Sequence, residues 1–496
     1  ILVSLKVLKF DGSDSLKEIP DVSSLQTLQE LSFRSCKNLV TVDSSVGFLP
    51  KLQILNAEDC DKLRNFPPVI QLPSLVDLYL SGCSSLEYFP EIQQEMENVD
   101  QLSLTDSGIK DLSCSFRNLS RLSKLYLIGD EMCKMPSVIG MMPQLSECHI
   151  IGGGNNKGMV SGKLEEVFQG ILTHSLPSQN LRALDLINSN LSDEFFLLAL
   201  AWFPNVKSLD LRGNNFTVLP ECIQQFHFLE DLQVDDCIYL REIRGIPPNL
   251  KYFSALNCKS LSPRGTRVLL NQGLYQGRST EFSMPGERIP RWFEQHRSGG
   301  TSICFWFRGT AFPKSVYIAI LLQDDIPSLS EVEILLHLNG KQVSRKNSKT
   351  EQLLIFNTFL FPNFLKYGGH GRDPYGEKGW NHAEVVVYKG LDYGYERVPS
   401  ELIVKEIGMH VVKQKDGSII EDIRFTDPYK MAELIIMMMM VSIVFPNHKK
   451  QPLLLETCIG LWTLLFLTHS FWSAAQEKKP RRGPNSGLIC ISPCCQ

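Results

Sequence analysis

The stretch Leu28-Gln-Glu-Leu31-Ser-Phe33-Arg-Ser-Cys36-Lys-Asn-Leu39 decides the fold of this chain, because its apolar spacing returns many times. The same frame is found at 52–63, 75–86, 229–240 and 250–261. One apolar residue of each unit, here called the anchor, recurs at Leu8, Leu31, Leu55, Leu78, Leu102, Leu125, Cys148, Leu184, Leu209, Leu232 and Phe253. A fixed period of this length indicates a repeat protein in which neighbouring units stack.

The anchors lie 23 or 24 residues apart up to Cys148 and 21 to 25 residues apart from Leu184 onward. A period near 23 with this apolar frame is the signature of the leucine-rich repeat. We therefore predict about 11 repeats over residues 1–262, forming an α/β horseshoe solenoid with a concave parallel sheet. The period breaks at 151–177, which we interpret as an insertion into the solenoid.

Five of the 14 cysteines stand five residues after an anchor, at Cys36, Cys60, Cys83, Cys237 and Cys258. Asn214, Ser107 and Ser189 hold the same position in other repeats. We interpret this ladder position as a small inward side chain that meets the turn backbone. Neighbouring ladder residues lie about 5 Å apart, near enough for a disulfide, but parallel side chains do not point at one another. The hypothesis is reduced core thiols in a reducing compartment, rather than disulfides or a zinc site.

Composition excludes several classes of protein. Among 496 residues, Lys and Arg total 50 and Asp and Glu total 54, a net charge of -4, which argues against a nucleic-acid binder. The segment Gly158–Leu164 has too few residues between its glycines for a phosphate-binding loop, and Leu164 stands where Ser or Thr is needed. With no other catalytic motif present, the sequence predicts no enzyme and no cofactor or metal site.

The period stops after Leu261, and a different pattern follows. Residues 263–280 read as a junction that caps the solenoid. Strand-like runs then occupy 302–307, 316–322, 332–338, 383–388, 403–404 and 409–412. Short strands separated by turn signals predict an all-β sandwich over 281–428.

The string Phe282-Ser-Met-Pro285-Gly286-Glu-Arg-Ile289-Pro290-Arg-Trp292-Phe293 resembles the start of the post-repeat domain of plant TIR-NB-LRR disease resistance proteins. The repeats are similar to those of the tobacco mosaic virus resistance protein N group. The resemblance covers about residues 1–428. It implies that 281–428 is a jelly-roll/Ig-like domain, and that the chain is the sensor portion of an intracellular plant immune receptor, autoinhibitory at rest.

In that family a TIR domain cleaves NAD, a nucleotide-binding domain acts as the switch, and the repeats with the post-repeat domain bind a pathogen effector. Neither TIR nor switch motifs occur in this sequence, so only the recognition role transfers. The implied partners are a pathogen effector or a guarded host protein, together with the receptor's own TIR and NB-ARC domains. The implied location is the cytoplasm, with the nucleus as a second compartment. Because the sequence begins in mid-period, we expect a fragment of a longer protein.

Side chains beside the anchors should face outward from the predicted sheet, since neighbouring residues of a strand point to opposite faces. Candidate ligand-binding residues on this face are Arg34, Asp77, Tyr79, Lys124, Tyr126, Asp210, Arg212, Asp231, Gln233 and Asp235. A Gly-rich loop after the repeats adds Tyr367, His370, Arg372 and Tyr375. For any single residue, a merely solvated role is the alternative interpretation.

The tail, 429–496, departs from the family pattern. Residues 434–446 are apolar but too short to span a bilayer, whereas 457–475 form an uncharged run of 19 residues. That run is a transmembrane candidate, a docked apolar extension or a gene-model artefact. A true span, with sequons at Asn118, Asn190 and Asn215, would favour the alternative of a membrane-anchored or extracellular repeat receptor.

Overall fold

The structure is a computed structural model. It describes residues 4–110, 112–129, 142–152, 179–275, 279–308, 313, 316–323, 330–350, 352–357, 379–389, 404–412 and 423–427. The chain divides into two compact units, Ile1–Thr426 and Asp427–Gln496. All the helices and strands below lie in the first unit. Tyr367, His370, Arg372 and Tyr375, most of the insertion at 151–177 and the apolar run 457–475 fall outside the described residues.

Eleven parallel strands, one from each repeat, form a single sheet in the described part of the solenoid. They are β1 (Val7–Lys9), β3 (Glu30–Ser32), β5 (Ile54–Asn56), β7 (Asp77–Tyr79), β9 (Gln101–Ser103), β10 (Lys124–Ile128), β11 (Glu147–Ile151), β12 (Ala183–Ile187), β13 (Ser208–Asp210), β15 (Asp231–Gln233) and β17 (Tyr252–Ser254). A mostly-sheet, helix-poor solenoid confirms the leucine-rich-repeat part of the predicted fold.

The register of this sheet follows the anchors. Leu31 is paired with Leu8 and Leu55, and Cys148 with Leu125 and Leu184. At the far end, Phe253 is paired with Leu232. The anchors from Leu31 to Phe253 are all less than 5% exposed. Because side chains alternate along a strand, residues on either side of each anchor lie on the opposite, outward face.

The side of the solenoid away from the long sheet is built from short elements. Two-residue strands pair as β2 (Glu18–Ile19) with β4 (Thr41–Val42), β6 (Val69–Ile70) with β8 (Glu91–Ile92), and β14 (Val218–Leu219) with β16 (Glu242–Ile243). One α-helix is described, α1 (Phe195–Trp202). Single 3-10 turns occur at Ser44–Phe48, Cys114–Asn118, Glu221–Gln225, Arg267–Leu270 and Gln272–Tyr275.

The ladder cysteines hydrogen-bond to the preceding repeat. Each thiol donates to the backbone carbonyl two residues after the preceding anchor, with Cys60 Sγ 3.1 Å from Phe33 O and Cys258 Sγ 3.1 Å from Val234 O. Burial raises the pKa of the Cys60 thiol to about 12, so the thiol stays protonated and can donate. No disulfide joins the cysteines that the structure describes.

Asn214 holds the same ladder position and makes more bonds than a thiol can. Its amide nitrogen donates to Leu186 O at 2.7 Å and Leu211 O at 2.8 Å. Its carbonyl oxygen accepts from the backbone N–H groups of Ser189 and Leu191. The side chain is fully buried, and it supplies hydrogen-bond partners to backbone groups that would otherwise have none in the turn.

The long sheet continues past the repeats. Strand β18 (Glu281–Met284) lies parallel to β17, with Phe253 paired with Phe282. Antiparallel strands then extend the sheet in the order β18, β24 (Leu353–Asn357), β21 (Val316–Leu322), β26 (Val404–Val411) and β19 (Gln295–Ser298). The first residues of the Phe282–Phe293 string therefore act as a twelfth repeat strand before the topology changes.

A second antiparallel sheet packs on this extension. Its order is β23 (Lys341–Thr350), β22 (Ser330–Leu338), β25 (Trp380–Lys389), β20 (Ser302–Arg308) and β27 (Ile423–Arg424). Apolar side chains from both sheets, among them Phe305, Ile334, Phe356 and Val385, form one core. The described part of the region after the repeats is thus all-β and two-layered.

The predicted strands at 302–307, 316–322, 332–338 and 383–388 coincide with β20, β21, β22 and β25 to within a few residues. The runs at 403–404 and 409–412 belong to one strand, β26. Sequence reasoning did not predict β23, whose KQVSRKNSKT is strongly polar. It forms because β22 offers a paired edge, and tertiary pairing overrides local propensity.

The apolar residues of the Phe282–Phe293 string serve the core. Phe282, Met284, Ile289 and Phe293 are buried. The indole nitrogen of Trp292 donates to Leu270 O at 2.7 Å, which ties the string to the 3-10 turns of the junction. Across the same junction, Lys346 Nζ lies 2.7 Å from Glu281 Oε2, with both side chains less than a fifth exposed.

Candidate protein-binding surface

The outward face of the parallel strands, here called the repeat-sheet face, presents two side chains from each three-residue strand. The anchor-flanking rule places Asp77, Tyr79, Lys124, Tyr126, Asp210, Asp231 and Gln233 in these rows. Three further candidates lie three residues after their anchors, just beyond the strand: Arg34, Arg212 and Asp235. All are exposed or half-buried except Asp210, which is 4% exposed.

The middle of this face brings one continuous group together. We define the central patch as Tyr126, His149, Asp185, Asp210, Arg212 and Asp231, from the neighbouring strands β10, β11, β12, β13 and β15. Backbone pairing sets Tyr126 opposite His149, His149 opposite Asp185, and Asp185 opposite Asp210. A single row of side chains therefore changes from aromatic to acidic within about 15 Å, at ~4.8 Å per strand.

The aromatic end of the central patch is held rigidly. The rings of Tyr126 and His149 stack with centroids 4.7 Å apart and planes 3° from parallel. His149 Nδ1 lies 2.5 Å from Asp185 Oδ2. Beside them, Lys124 Nζ is 3.0 Å from Glu147 Oε1. Stacking and hydrogen bonding fix these side chains in advance of any ligand, which lowers the entropy cost of binding.

The acidic end contains three carboxylates with one guanidinium among them. Arg212 Nη2 lies 2.6 Å from Asp210 Oδ2, and Arg212 Nε lies 2.9 Å from both carboxylate oxygens of the same residue. Asp185 and Asp231 stand on either side. Burial raises the pKa of both carboxyls above the usual value, and the charge of Asp210 raises them further. The bond to His149 partly offsets the effect at Asp185.

Asp235 bonds to the next repeat through its carboxylate. Its Oδ1 accepts from Ser254 Oγ at 2.5 Å and from Leu256 N at 2.7 Å, which ties its repeat to the next. Asp11 plays the same part for Ser32 and Arg34 N at the other end of the solenoid. These bonds could not be predicted from the sequence, because the repeat period does not set where a carboxylate points.

The remaining predicted residues lie outside the central patch or at its margin. Arg34 pairs with Glu58 at 3.0 Å and lies six strands from Asp185, about 30 Å along the sheet. Asp77 and Tyr79 lie on β7, with β9 between them and the patch; Tyr79 is 40% exposed. Gln233 Nε2 lies 3.5 Å from Asp231 Oδ1, at the acidic margin.

Sequence reasoning missed Glu147, His149 and Asp185. The signal was present, because Cys148 and Leu184 were recognised as anchors and these residues flank them. The period breaks at 151–177, so the spacing alone does not show that the strands on either side of the break are neighbours. In the structure those two strands pair directly, in a register of five residue pairs.

The described residues include no cluster of three or more His, Cys, Asp or Glu side chains able to hold a metal ion. Nor does any helix within the described ranges have the length and apolar character needed to cross a membrane. What the central patch offers is a row of preset aromatic, acidic and basic groups on a rigid sheet. This combination is typical of a surface that binds another protein.

Comparison with solved structures gives a modest similarity to another protein. The crystal structure of a TDR receptor matches 57% of this chain and 48% of its own chain, with 18% identity and a TM-score of 0.31. The fold assignment rests on the strand register described above.

Sequence comparison links the repeats to plant immunity. Residues 71–262 match the family model described as "Disease resistance protein RPS4B-like, leucine-rich repeats". The TMV resistance protein N of Nicotiana glutinosa is 28% identical over 295 residues, covering 50% of this chain and 25% of that protein. The disease resistance protein RML1B of Arabidopsis thaliana is 27% identical over 374 residues, covering 72% of this chain and 31% of that protein.

A shorter match, to the disease resistance protein RPP2A of Arabidopsis thaliana, is 35% identical over 138 residues and covers 28% of this chain and 10% of that protein. The chain spans about a third or less of the length of these relatives. The resemblance predicted from the sequence is thereby confirmed: residues 71–262 match the leucine-rich repeats of RPS4B-like disease resistance proteins, in a chain similar to the N protein and other plant disease resistance proteins.

Proposed function

We propose that this chain is the recognition part of an intracellular plant immune receptor, and that the central patch binds a pathogen effector or a guarded host protein. The observation that carries the proposal is the unbroken row from Tyr126 through His149 and Asp185 to Asp210. Acidic groups there favour a partner surface rich in Lys and Arg, and Tyr126 provides a rigid apolar contact beside them.

The charged carboxylates of Asp185 and Asp231 reduce the stability of the fold. Because burial raises the pKa of Asp185 and Asp231, their charged forms are less stable in the folded chain than in water. Groups that oppose stability at a surface are expected where binding requires them. A basic partner would remove the penalty by supplying the counter-charge.

The proposal assigns the chain a binding role and no catalysis of its own. Residues 281–428 are proposed as the jelly-roll/Ig-like post-repeat domain, in keeping with the two antiparallel sheets. Autoinhibitory contacts would involve the TIR and NB-ARC domains of a full-length receptor. The proposed location is the cytoplasm, with entry to the nucleus also part of the proposal.

The competing function is an extracellular repeat receptor bearing glycans. The structure supports the intracellular proposal at Asn118, whose amide nitrogen donates to Ile92 O at 2.7 Å. A glycan attached to that nitrogen would disturb this bond between neighbouring repeats. Asn190 and Asn215, the other two sequons, bond to each other across their repeats.

The test is a binding screen of the full chain against secreted pathogen proteins and host proteins, followed by titration calorimetry on each hit. In D185N/D231N, we expect binding to weaken about tenfold or more, since two charges facing the partner are lost. In Y126A, loss of the stacked ring should cost a similar factor.

The matched control is E18Q/E91Q, which removes two exposed carboxylates from the short strands β2 and β8, away from the long sheet. This variant should bind as the unmodified chain does. Partners that bind D185N/D231N and Y126A with undiminished affinity would overturn the proposed site. Glycan occupancy at Asn118 in the plant would instead support the extracellular alternative.

A further inference from the structure

The repeat-sheet face has an apolar row that the central patch does not include. Ile128, Ile151 and Ile187 each lie three residues after an anchor, and backbone pairing sets Ile151 opposite both Ile128 and Ile187. All three side chains are half-buried. At ~4.8 Å per strand, the row is about 10 Å long. We call these three residues the isoleucine strip.

The strip is confined to three strands that are longer than the other repeat strands. β10, β11 and β12 have five residues each, whereas the other eight have three. Isoleucine favours extended backbone because its branched Cβ packs well on a pleated surface, so it continues each of these strands. In the other repeats the third residue after the anchor is polar, except for the buried Leu256: Asp11, Arg34, Glu58, Ser81, Thr105, Arg212 and Asp235. Three adjacent apolar side chains therefore depart from the pattern of this face, since apolar surface residues are ordinarily scattered singly.

The strip lies beside the central patch, two residues further along the same strands. Ile187 follows Asp185 on β12, and Ile128 follows Tyr126 on β10. Side chains two residues apart on a strand share a face, at ~3.3 Å per residue, so the two rows are about 7 Å apart. A single segment of a ligand can therefore contact both rows.

Charge complementarity decides what kind of segment fits beside the strip. Each of the two cations on this part of the face already pairs with a carboxylate, at 3.0 Å for Lys124 and 2.6 Å for Arg212. From β10 to the residues just after β15, outward carboxylates outnumber these cations: Glu147, Asp185, Asp210, Asp231 and Asp235. The surplus remains if His149 is counted as a cation. It favours a Lys or Arg side chain of the ligand and disfavours an acidic side chain or a phosphate.

We propose that the isoleucine strip and Asp185 together bind an extended segment of a partner protein that presents an apolar side chain and a Lys or Arg on one face. In an extended segment, residues two apart lie on the same face about 7 Å from each other, which matches the spacing of the two rows. The apolar side chain packs on the isoleucines, while the basic one reaches the carboxylate of Asp185. The inference rests on the proposed function, because it takes the central patch as the binding site, and it adds the chemistry of the partner.

The experiment uses the full chain and the fluorescein-labelled peptide Leu-Ser-Lys-Ser-Leu-Ser-Lys, with binding followed by fluorescence anisotropy. A Ser/Lys peptide has Ser in place of both Leu, and a Leu/Glu peptide has Glu in place of both Lys. The strip variant is I128T/I151T/I187T, because Thr keeps the branched Cβ that suits a strand and removes apolar surface. The matched control is V7T/I54T/V76T, which replaces three half-buried or exposed apolar residues of the first four repeats with Thr.

We expect the Leu/Lys peptide to bind the strip variant about tenfold more weakly than the unmodified chain, and to bind V7T/I54T/V76T unchanged. The Ser/Lys peptide should bind all three forms equally, since its lysines contact Asp185 and not the strip. The Leu/Glu peptide should bind weakly. The advantage of the Leu/Lys peptide over the Ser/Lys peptide should persist at high salt, because salt screens charges and not apolar contacts. Circular dichroism of the strip variant should match that of the unmodified chain.

The comparison of peptides on the unmodified chain needs no variant. Equal affinity of the Leu/Lys and Ser/Lys peptides, or no measurable binding of either, would overturn the inference. Undiminished binding of the Leu/Lys peptide to D185N/D231N would also overturn it. Self-association of the unmodified chain that the strip variant abolishes would assign the strip to a second copy instead.

The inference and the proposed function fail separately. A partner from the binding screen that loses affinity in D185N/D231N but not in the strip variant would leave the central patch standing and remove the strip. A partner that keeps its affinity in D185N/D231N and Y126A would remove the central patch, whatever the peptides do.

Discussion

The repeats and the antiparallel region share one continuous sheet, yet each holds it together in a different way. In the repeats every strand pairs with the next repeat along the chain, and side chains at one position align in rows from strand to strand. After β18, strands from distant parts of the sequence become neighbours, as when β21 lies between β24 and β26. The repeats thus depend on near-neighbour contacts, and the antiparallel region depends on long-range ones.

This difference shows in how each region builds its outward surface. The central patch is a row set by the repeat period, with one side chain from each successive strand. The second sheet joins β20, β25 and β27, which lie far apart in the sequence and share no period. A solenoid can change its surface one repeat at a time, whereas the second sheet needs all three strands at once.

The largest predicted effect concerns the place where the two regions meet. Phe282 is 1% exposed and lies between Phe253 and Tyr275, with ring centroids 6.0 Å and 5.4 Å away. We expect F282A to lower the free energy of unfolding by about 3–5 kcal/mol. Because this residue joins the twelfth parallel strand to the repeats, urea unfolding followed by circular dichroism should separate into two transitions.

The matched variant is F33A, which removes an equally buried ring inside the repeats. It should destabilise the solenoid without uncoupling the antiparallel region, since each repeat contacts its neighbours only. If F282A and F33A gave the same single transition, the junction would not be a distinct point of coupling.

More could be predicted from the sequence for the repeats than for the antiparallel region. The reason is again that the repeats depend on near-neighbour contacts and the antiparallel region on long-range ones. A strict period identified the anchors from Leu8 to Phe253, and alternation then identified the outward side chains. The direction of a carboxylate is not set by the period, so the bonds from Asp235 to the next repeat could not be predicted. On the second sheet, the stacking of Arg308 and Arg424 on Trp380 could not be predicted, because their strands meet only through the fold.

A smaller effect should distinguish the two kinds of ladder residue. N214A removes a buried amide that serves four backbone groups, and we expect a loss of about 2–4 kcal/mol. N214C should lose less, because a thiol at this position donates one bond in the next two repeats, at Cys237 and Cys258. Urea unfolding of both variants provides the measurement, with N215A as the exposed control.

An N214C loss as large as that of N214A would mean that the thiol cannot replace the amide even in part. The ladder position would then require Asn wherever the preceding repeat leaves backbone N–H groups to be bonded, as at Ser189 and Leu191. Equal stability of N214A and N215A would contradict the structural role given to the buried amide.

The smallest predicted effect tests whether the central patch is kept for binding at a cost in stability. Burial raises the pKa of Asp231, so the folded chain binds a proton more readily than the unfolded chain does. At neutral pH the charged carboxylate therefore destabilises the fold. After allowing for solvent screening of this half-exposed group, we expect D231N to gain about 0.5 kcal/mol or less at pH 7.

The pH dependence gives the sign. The gain in D231N should be present above the folded-state pKa and should disappear as the pH falls through that value toward the unfolded value of 3.8, because the unmodified carboxyl is then protonated in both states. Melting temperatures of both forms between pH 7 and pH 4 would follow it. D235N makes the same chemical change at another half-buried carboxyl with a raised pKa, but it weakens bonds to Ser254 and Leu256. It should destabilise the chain at pH 7, so opposite effects of these two variants would separate a carboxylate held for a partner from one that holds the solenoid together.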